Sequence, residues 1–482
     1  VNENNHHQPL LDPEEFRRQA HQLADWMADY LRDVKDLPVV PKVGPGDIRA
    51  ALPAAAPETG EPFDELFDDF RNLVLPGMTH WNHPGWFAYF PANTSPPSIL
   101  AEMLTAVLGA QCMSWQTSPA ATELEQVVLG WLAGMLGLPE GFTGVIQDSA
   151  SSATLVALLT ARERATDYNF NTDGAAAPGA RRLTVYASTE AHSSVDKAVK
   201  LAGLGLARYR RIAVDEKFAL DPRALEKAMV RDVDEGLIPC AVVGVVGTTS
   251  STAVDPLRRI GGLCRRFGAW FHVDAAYAGS AAILPERRSI LDGIELADSF
   301  VFNPHKWLFT NFDCSAYFVR DRQALLRTFS MTPEYLKTAH DEEVVNFRDW
   351  GIQLGRRFRA LKLWFVIRSF GVQGLREKLR GHIALAESFA RRVEEHPHFE
   401  LLAPAPFGLV CFRFRPPDTA ADDPALDRLN QRLLDRVNAD GRVYLTHTRL
   451  GGRYTIRLSI GQLNTSAAEV DLVWKLFCES VE

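Results

Sequence analysis

Two short runs carry residues able to do covalent chemistry. Asn303-Pro304-His305-Lys306-Trp307 follows the apolar stretch Phe300-Val301-Phe302, so a lysine sits just past a hydrophobic strand. A buried amine loses hydration, its pKa falls, and it becomes a nucleophile that forms Schiff bases with carbonyls. Upstream, Trp270-Phe271-His272-Val273-Asp274-Ala275-Ala276-Tyr277 reads as a second apolar strand ending in a carboxylate. Each has a plainer reading when taken singly: a lysine after a strand is commonly an exposed loop charge, and an Asp at a strand end commonly a turn or cap residue. Together they supply a Schiff-base lysine and a counter-charge for a pyridinium nitrogen. Those are the two protein groups that pyridoxal phosphate chemistry requires.

Further runs fit around that pair. Gly144-Val145-Ile146-Gln147-Asp148-Ser149-Ala150-Ser151-Ser152 leads into the apolar Ala153 to Leu159. Small and hydroxyl residues opening a helix present free N–H groups and the positive end of its dipole, an anion cradle; the plainer reading is a serine N-cap. Val246-Gly247-Thr248-Thr249-Ser250 ends a buried strand, where open α/β sheets bind ligands. Thr248 is the candidate cofactor contact there; the plainer reading makes Thr249 or Ser250 only a cap for the next segment. His192 follows the strand Thr184-Val185-Tyr186-Ala187; its flat imidazole suits stacking on a pyridine ring, or it is a satisfied loop residue. The run from His80 to Phe90 is dense in aromatics, which suits packing, a subunit contact or an apolar wall for an aromatic substrate. His80 and His83 have metal-ligand spacing but no accompanying carboxylate cluster, so no metal is expected.

These groups need a scaffold that brings strand ends together. Thr184–Ala187, Ala241–Val246, Trp270–Val273 and Ser299–Phe302 read as buried strands, with helical stretches such as Val195–Leu201 and Leu257–Phe267 between them. Continuous apolar strands alternating with helices predict an α/β fold with a mainly parallel central sheet covered on both faces. Ser315–Val319 reads as an antiparallel member. Ahead of this lies a helix opening at Asp12-Pro13-Glu14-Glu15, then a Pro- and Gly-rich connector from Leu37 to Pro62 and a second helix near Phe63 to Leu73. After about residue 380 come a helix, the strand Phe407–Phe414, a helix near Leu426–Val437, the strand Tyr454–Ser459 and a last helix. The expected division is an N-terminal helical segment over 1–85 that packs on a partner subunit, a large domain over 86–379, and a small C-terminal α+β domain over 380–482.

Bulk properties narrow the class. The chain has 482 residues, 46% hydrophobic and 23% charged, ordinary globular values. A net charge of -8 without a basic block argues against nucleic acid. No apolar stretch reaches membrane-spanning length, and the polar opening Val1–His7 does not resemble a secretory signal. Six scattered cysteines form no paired framework, which points to a reducing cytoplasm.

Six motifs now carry a resemblance that spans nearly the whole chain. They are Pro76-Gly77-Met78-Thr79-His80-Trp81, Phe87-Ala88-Tyr89-Phe90-Pro91, Ala191-His192-Ser193-Ser194, His272 to Ser280, Asn303 to Trp307, and Leu354-Gly355-Arg356-Arg357-Phe358-Arg359. The chain resembles the group II pyridoxal-phosphate decarboxylases, and most of all the aromatic-L-amino-acid (DOPA, tryptophan, tyrosine) decarboxylases. That resemblance implies the aspartate-aminotransferase-like fold, PLP-dependent fold type I, and a homodimer with active sites at the subunit boundary. It implies Lys306 as the Schiff-base lysine, Asp274 at the pyridine nitrogen, and His192 stacked on the ring. Ser149, Ala150 and Ser151 would hold the phosphate, with Asn303 and His305 nearby, and Thr248 and Ala276 would line the cofactor. Trp81, Tyr89, Phe90, Pro91, Met113 and Gly355 would face the substrate. Ser330 to Lys337 resembles the family's mobile catalytic loop, with Tyr335 as the acid that protonates Cα. Related aldehyde synthases carry phenylalanine at that place, or replace the stacking histidine; Tyr335 and His192 are both kept here.

The chain departs from animal relatives at Ala92, at Gln111 and Met113, and at Asp148, where the family commonly has glycine. Gly355 stands where, in plant relatives, glycine goes with indolic and serine with phenolic substrates. The expected activity is decarboxylation of aromatic L-amino acids to amines. The alternatives are oxidative aldehyde synthesis and a catalytically silent partner-binding homologue.

Overall fold

The computed structural model describes residues 12–176, 179–331, 343–417, 419–420 and 424–481. Among these, the strands in chain order are β1 (Trp86–Phe87), β2 (Thr143–Gln147), β3 (Leu183–Ser188), β4 (Tyr209–Ile212), β5 (Ile238–Val245) and β6 (Trp270–Asp274). Then follow β7 (Ser299–Phe302), β8 (Ser315–Val319), β9 (Phe399–Leu401), β10 (Leu409–Phe414), β11 (Tyr444–Leu450) and β12 (Arg453–Ser459).

Seven of them form one sheet in the order β2-β8-β7-β6-β5-β3-β4. From β7 to β4 every pairing is parallel, while β8 runs antiparallel to both its neighbours. Because β2 opposes β8 and β8 opposes β7, β2 points the same way as the parallel strands. The segments after β2, β3, β5, β6 and β7 therefore leave the sheet on one edge, which gathers distant residues in one place.

The strands are apolar throughout because both faces are covered. Tyr186, Val242, Phe271 and Val273 belong to the core on one face. Val185, Ala187, Val243 and Trp270 belong to the core on the other. That split follows the two-residue period of a strand. Helix Ala150–Ala165 lies on this second face and contributes Ala153, Val156 and Ala157 to its core. Buried Asp255 ties the end of β5 to the neighbouring turn, accepting the Leu220 and Val245 N–H groups at 2.8 Å each. Burial pushes that carboxyl up to about 7, against the lowering effect of the two N–H groups.

The small sheet has the order β1-β11-β12-β10-β9 and its own core, in which Phe389, Phe412, Ile456 and Phe477 meet. Two features shift the expected domain limits. Trp86–Phe87 pairs in parallel with Tyr444–Leu445, so this strand belongs to the small sheet and does not open the large domain. The helical run Arg359–Glu395 crosses the limit drawn at 379/380, and its break falls at Gly371, with φ +63°. Glycine suits that break, since it adopts left-handed backbone without a Cβ penalty.

The N-terminal helix Pro13–Asp33 starts as its residues dictate, with the Asp12 side chain accepting the Glu14 N–H and Pro13 in the first turn. None of its residues is fully buried within one chain. Trp26 meets Phe70 and Phe67 edge-on, with centroids 5.2 and 5.9 Å apart, joining this helix to the second helical stretch at Phe63–Asp69. The connector is pinned to the small domain at Val39, whose N–H donates to the Gly441 carbonyl at 2.9 Å.

Candidate active site

The edge of the seven-stranded sheet collects the residues singled out above. Asp274 ends β6, Lys306 lies in the short helical turn Pro304–Trp307 after β7, and Thr248 follows β5. His192 follows β3, and Ser149 caps the helix after β2. Within the otherwise buried runs 270–284 and 299–310, only Ala276 and Lys306 have solvent access. These two residues mark the floor of the cleft.

Desolvation lowers the Lys306 pKa from its ordinary value, the Asp274 carboxylate works against that, and the Arg457 cation adds to it. Asp274 is buried, and its Oδ1 accepts the Ala276 N–H at 3.0 Å, which fixes the carboxylate on the cleft floor. Burial also lowers the His192 pKa, with Asp274 raising it and Lys306 lowering it. The backbone N–H of Ser194 donates to His192 Nδ1 at 3.1 Å, and the Ser194 hydroxyl lies 2.9 Å from the same nitrogen. Nδ1 is therefore the acceptor, and a neutral ring carries its proton on Nε2.

Behind the amine stands a pile of rings. Lys306 Nζ is 5.4 Å from the Phe90 centroid. Phe90 stacks on Tyr277 at 3.9 Å, and Tyr277 on Trp307 at 4.7 Å. The Trp307 indole then donates to His382 Nδ1 at 3.0 Å. This stack fixes the backbone on either side of Lys306 and keeps water from its stem.

Asn303 and His305 are buried supports. The Asn303 carbonyl oxygen accepts the Ser315 hydroxyl at 2.8 Å, and its backbone N–H donates to Ala276 at 3.0 Å. His305 Nδ1 accepts the Cys314 N–H at 2.9 Å; burial pushes this imidazole down to about 3, so it is neutral. The Thr248 hydroxyl accepts the Ala253 N–H at 3.0 Å and bonds Ser251 at 3.1 Å, shaping the turn it opens. Gly247 before it, at φ +87°, lies so close to Ala278 that a Cβ would come within 2.5 Å. Ser149 accepts the Ser152 N–H at 3.2 Å, the serine cap of the plainer reading. The N–H groups of Ala150 and Ser151 in the first turn are left without intrahelical acceptors, and Ser151 is exposed. The cap leaves those N–H groups open to an anion. Asp148 is engaged with Gln353, whose Nε2 donates to it at 2.7 Å.

The expected substrate residues divide. Phe90 and Pro91 lie beside the Lys306 turn, with Pro91 in close approach to Gly461. Trp81 and Tyr89 stack on each other at 5.7 Å and are exposed, lying over the buried Trp86. Met113 and Gly355 belong to a separate rim. The Met113 carbonyl accepts the Arg348 N–H at 2.9 Å, and Gly355 faces Gln111. Tyr335 lies outside the described residues. His80 and His83 serve structural contacts, His80 with Tyr30 at 2.8 Å and His83 with the Gly85 N–H at 2.8 Å.

Arg457 is the site residue that the strand pattern hides. It is 4% exposed, stands 5.4 Å from the Phe90 centroid, and donates to the Thr249 carbonyl at 2.8 Å. Burial lowers its pKa, and no carboxylate pairs with it among the described residues. A lone charge within Tyr454-Thr455-Ile456-Arg457-Leu458-Ser459 was the available signal.

A buried amine facing a fixed carboxylate, beside a helix whose first N–H groups are free, suits an aldehyde-bearing pyridinium with an anionic tail. Comparison with known proteins agrees. Residues 45–415 match the family model of the pyridoxal-dependent decarboxylase conserved domain.

The chain belongs to the pyridoxal-dependent decarboxylase family.

It is 44% identical to phenylacetaldehyde synthase of Arabidopsis thaliana, over 97% of this chain and 96% of the relative. It is equally 44% identical to tryptophan decarboxylase 2 of Oryza sativa subsp. japonica, over 97% and 94%. A crystal structure of Oryza sativa TDC with PLP and tryptamine superposes with a TM-score of 0.94 at 41% identity, covering 98% of both chains. The fold is PLP-dependent fold type I and the cofactor is pyridoxal phosphate.

The opposing charges around Lys306 have a measurable sign. Asp274 raises its pKa, so Asp274→Asn should lower it further and enlarge the neutral, reactive fraction at a given pH. The rate at which the cofactor-free protein reacts with an aldehyde, followed from pH 6 to 10, should show a midpoint below the ordinary lysine value, and a lower one still in the variant. An unchanged or raised midpoint would contradict the pairing.

Proposed function

We propose that this decarboxylase acts on aromatic L-amino acids, of the L-DOPA, L-tryptophan, 5-hydroxytryptophan, tyrosine or phenylalanine class, and releases the amine and CO2. The observation that carries this reading is the Lys306 amine on the cleft floor, opposed by Asp274 and backed by the Phe90–Tyr277–Trp307 stack. Close relatives named as tryptophan and tyrosine decarboxylases support the same substrate class.

Bound pyridoxal phosphate supplies an electron sink for the charge left at Cα when the carboxylate departs. The chain supplies the rest. Lys306, whose pKa burial lowers, would offer the amine that holds the cofactor's aldehyde. Asp274 keeps a negative charge fixed against the pyridine nitrogen, preorganised by the Ala276 N–H; removing such a charge contact typically costs about 10²–10³ in rate. His192, its Nδ1 held by Ser194, would cover the ring. Ser149, Ala150 and Ser151 would anchor the phosphate, with Thr248, Asn303 and His305 shaping the surrounding wall. Tyr335 delivers the proton to Cα.

A homodimer completes the reading. Helix Pro96–Leu108 buries Ser98, Ala101 and Thr105 and turns Leu100, Leu104, Val107 and Leu108 outward, Val107 being 74% exposed. Val127 and Trp131 of helix Pro119–Leu136 are exposed as well. Apolar exposure on this scale, with the small and polar residues turned inward, fits a subunit contact. A cytoplasmic location accords with six free cysteines.

The second reading is aldehyde synthesis, which the 44% identity to phenylacetaldehyde synthase keeps in view. A panel of L-amino acids assayed for CO2, amine, peroxide and ammonia separates the two. Amine without peroxide is expected, and L-glutamate should be inert; aldehyde with peroxide from the unaltered enzyme would reverse the choice. Tyr335→Phe should move product from amine toward aldehyde, and unchanged amine release at an unchanged rate would remove Tyr335 from the role of acid. Light scattering should give a dimer whose association Val107→Glu weakens at least tenfold. A fully active monomer would exclude the shared site.

A further inference from the structure

Asn93 is a buried polar side chain that the chemistry above leaves unused. It is 2% exposed and lies in the loop between β1 and helix Pro96–Leu108. Its Oδ1 accepts the Leu463 N–H at 3.1 Å. That bond decides which way the amide faces, so the NH2 group points the opposite way. There it donates to two carbonyls, that of Lys306 at 2.6 Å and that of Gly461 at 2.8 Å. The Asn93 backbone N–H donates to the His305 carbonyl at 3.0 Å. Both donors and the acceptor oxygen of the head group are therefore engaged. An aspartate of the same shape could only accept, and a serine would offer one donor for two carbonyls.

The bond to Lys306 matters because the turn that carries the lysine is short. Pro304–Trp307 has four residues, too few to hold their own geometry. The Lys306 N–H donates to the Asn303 carbonyl at 2.9 Å, which fixes one side of its peptide. On the other side, Asn93 Nδ2 is the one donor to the Lys306 carbonyl among the described residues. The far end of this clamp belongs to the small domain. Residues 461–463 follow β12, and a Cβ on Gly461 would lie 2.7 Å from Pro91 and 3.3 Å from the Trp307 ring. One amide thus joins the run after β1, the lysine turn and the loop after β12.

We propose that Asn93 is a positioning residue for cofactor attachment: by holding the Lys306 carbonyl against the small-domain loop, it fixes the point from which the lysine stem reaches the cofactor's aldehyde. The inference rests on Lys306 as the attachment residue. In that step the neutral amine adds to the aldehyde carbon, a C=N bond replaces C=O, and the oxygen leaves as water. No other reagent is consumed. Such a reaction is sensitive to placement, and a shift of about 1 Å can cost on the order of 10²-fold in rate. An apolar side chain in place of Asn93 leaves two carbonyls and an N–H without their buried partner, so the turn relaxes toward other contacts. The amine then starts from the wrong place. The phosphate cradle at Ser149 to Ser151 stands on another segment and keeps its geometry.

The test separates holding from attachment in the full-length chain stripped of its cofactor. Pyridoxamine 5'-phosphate carries the ring and the phosphate but no aldehyde, so its Kd reads holding alone. Pyridoxal 5'-phosphate, trapped with borohydride at timed intervals and mapped by mass spectrometry, reads attachment at Lys306. Asn93→Leu should slow attachment about tenfold or more, while pyridoxamine phosphate binds within about threefold of the unaltered chain. Where circular dichroism shows that Asn93→Leu does not fold, Asn93→Ser carries the same comparison with the same ordering expected. Attachment at the unaltered rate overturns the proposal. Parallel loss of both ligands overturns it too, since Asn93 would then be a structural residue only. Trapping at a different lysine in the unaltered chain would instead bring down the assignment of Lys306, and this inference with it.

Discussion

The desolvation of one amine is the constraint on which the rest depends. Lys306 loses water against the Phe90–Tyr277–Trp307 stack and gains Asp274 as its opposing charge. Buried without Asp274, the amine would simply stay neutral; exposed, it would be an ordinary protonated lysine. Its usefulness lies between those limits. Holding it there requires β6 and β7 side by side, as they are, with Asp274 paired to Val301 in register. It also requires the buried Asn303 and His305 to fix the turn between strand and lysine.

The parallel sheet follows from the same demand. Five chain segments far apart in sequence must deliver a carboxylate, an amine, an imidazole, a shaped turn and a helix N-terminus to one edge. Strands pointing the same way do this, with β2 brought into line through the antiparallel β8. The small domain then closes the back of the site. Arg457 reaches from β12 to the Thr249 carbonyl and to Phe90, so the turn after Thr248 and the ring behind Lys306 are held by one side chain.

Much of this was legible in local strings. Asp274 and Lys306 each stand at the end of a continuous apolar run, and their strands form where that pattern places them. The antiparallel course of Ser315–Val319 was legible too. What escaped depends on contacts between distant segments. Nothing near Trp86 in the chain announces that it pairs with Tyr444, so the domain limit drawn before it fell on the wrong side of a strand. Arg457 reads as an outward charge on a strand until the strand proves buried on both faces. Trp81, Tyr89 and Phe90 look like one wall in sequence. The left-handed backbone at Tyr89, φ +52°, sends Phe90 inward and leaves the other two on the surface.

The central claim is that the amine of Lys306 is the point of covalent attachment. The purified holoenzyme should be reduced with borohydride, digested and mapped by mass spectrometry. One reduced phosphopyridoxyl group per chain is predicted on the peptide containing Asn303-Pro304-His305-Lys306-Trp307, accompanied by loss of the cofactor's visible absorbance and of CO2 release. Attachment at any other lysine, or full activity after Lys306→Ala, would contradict the account.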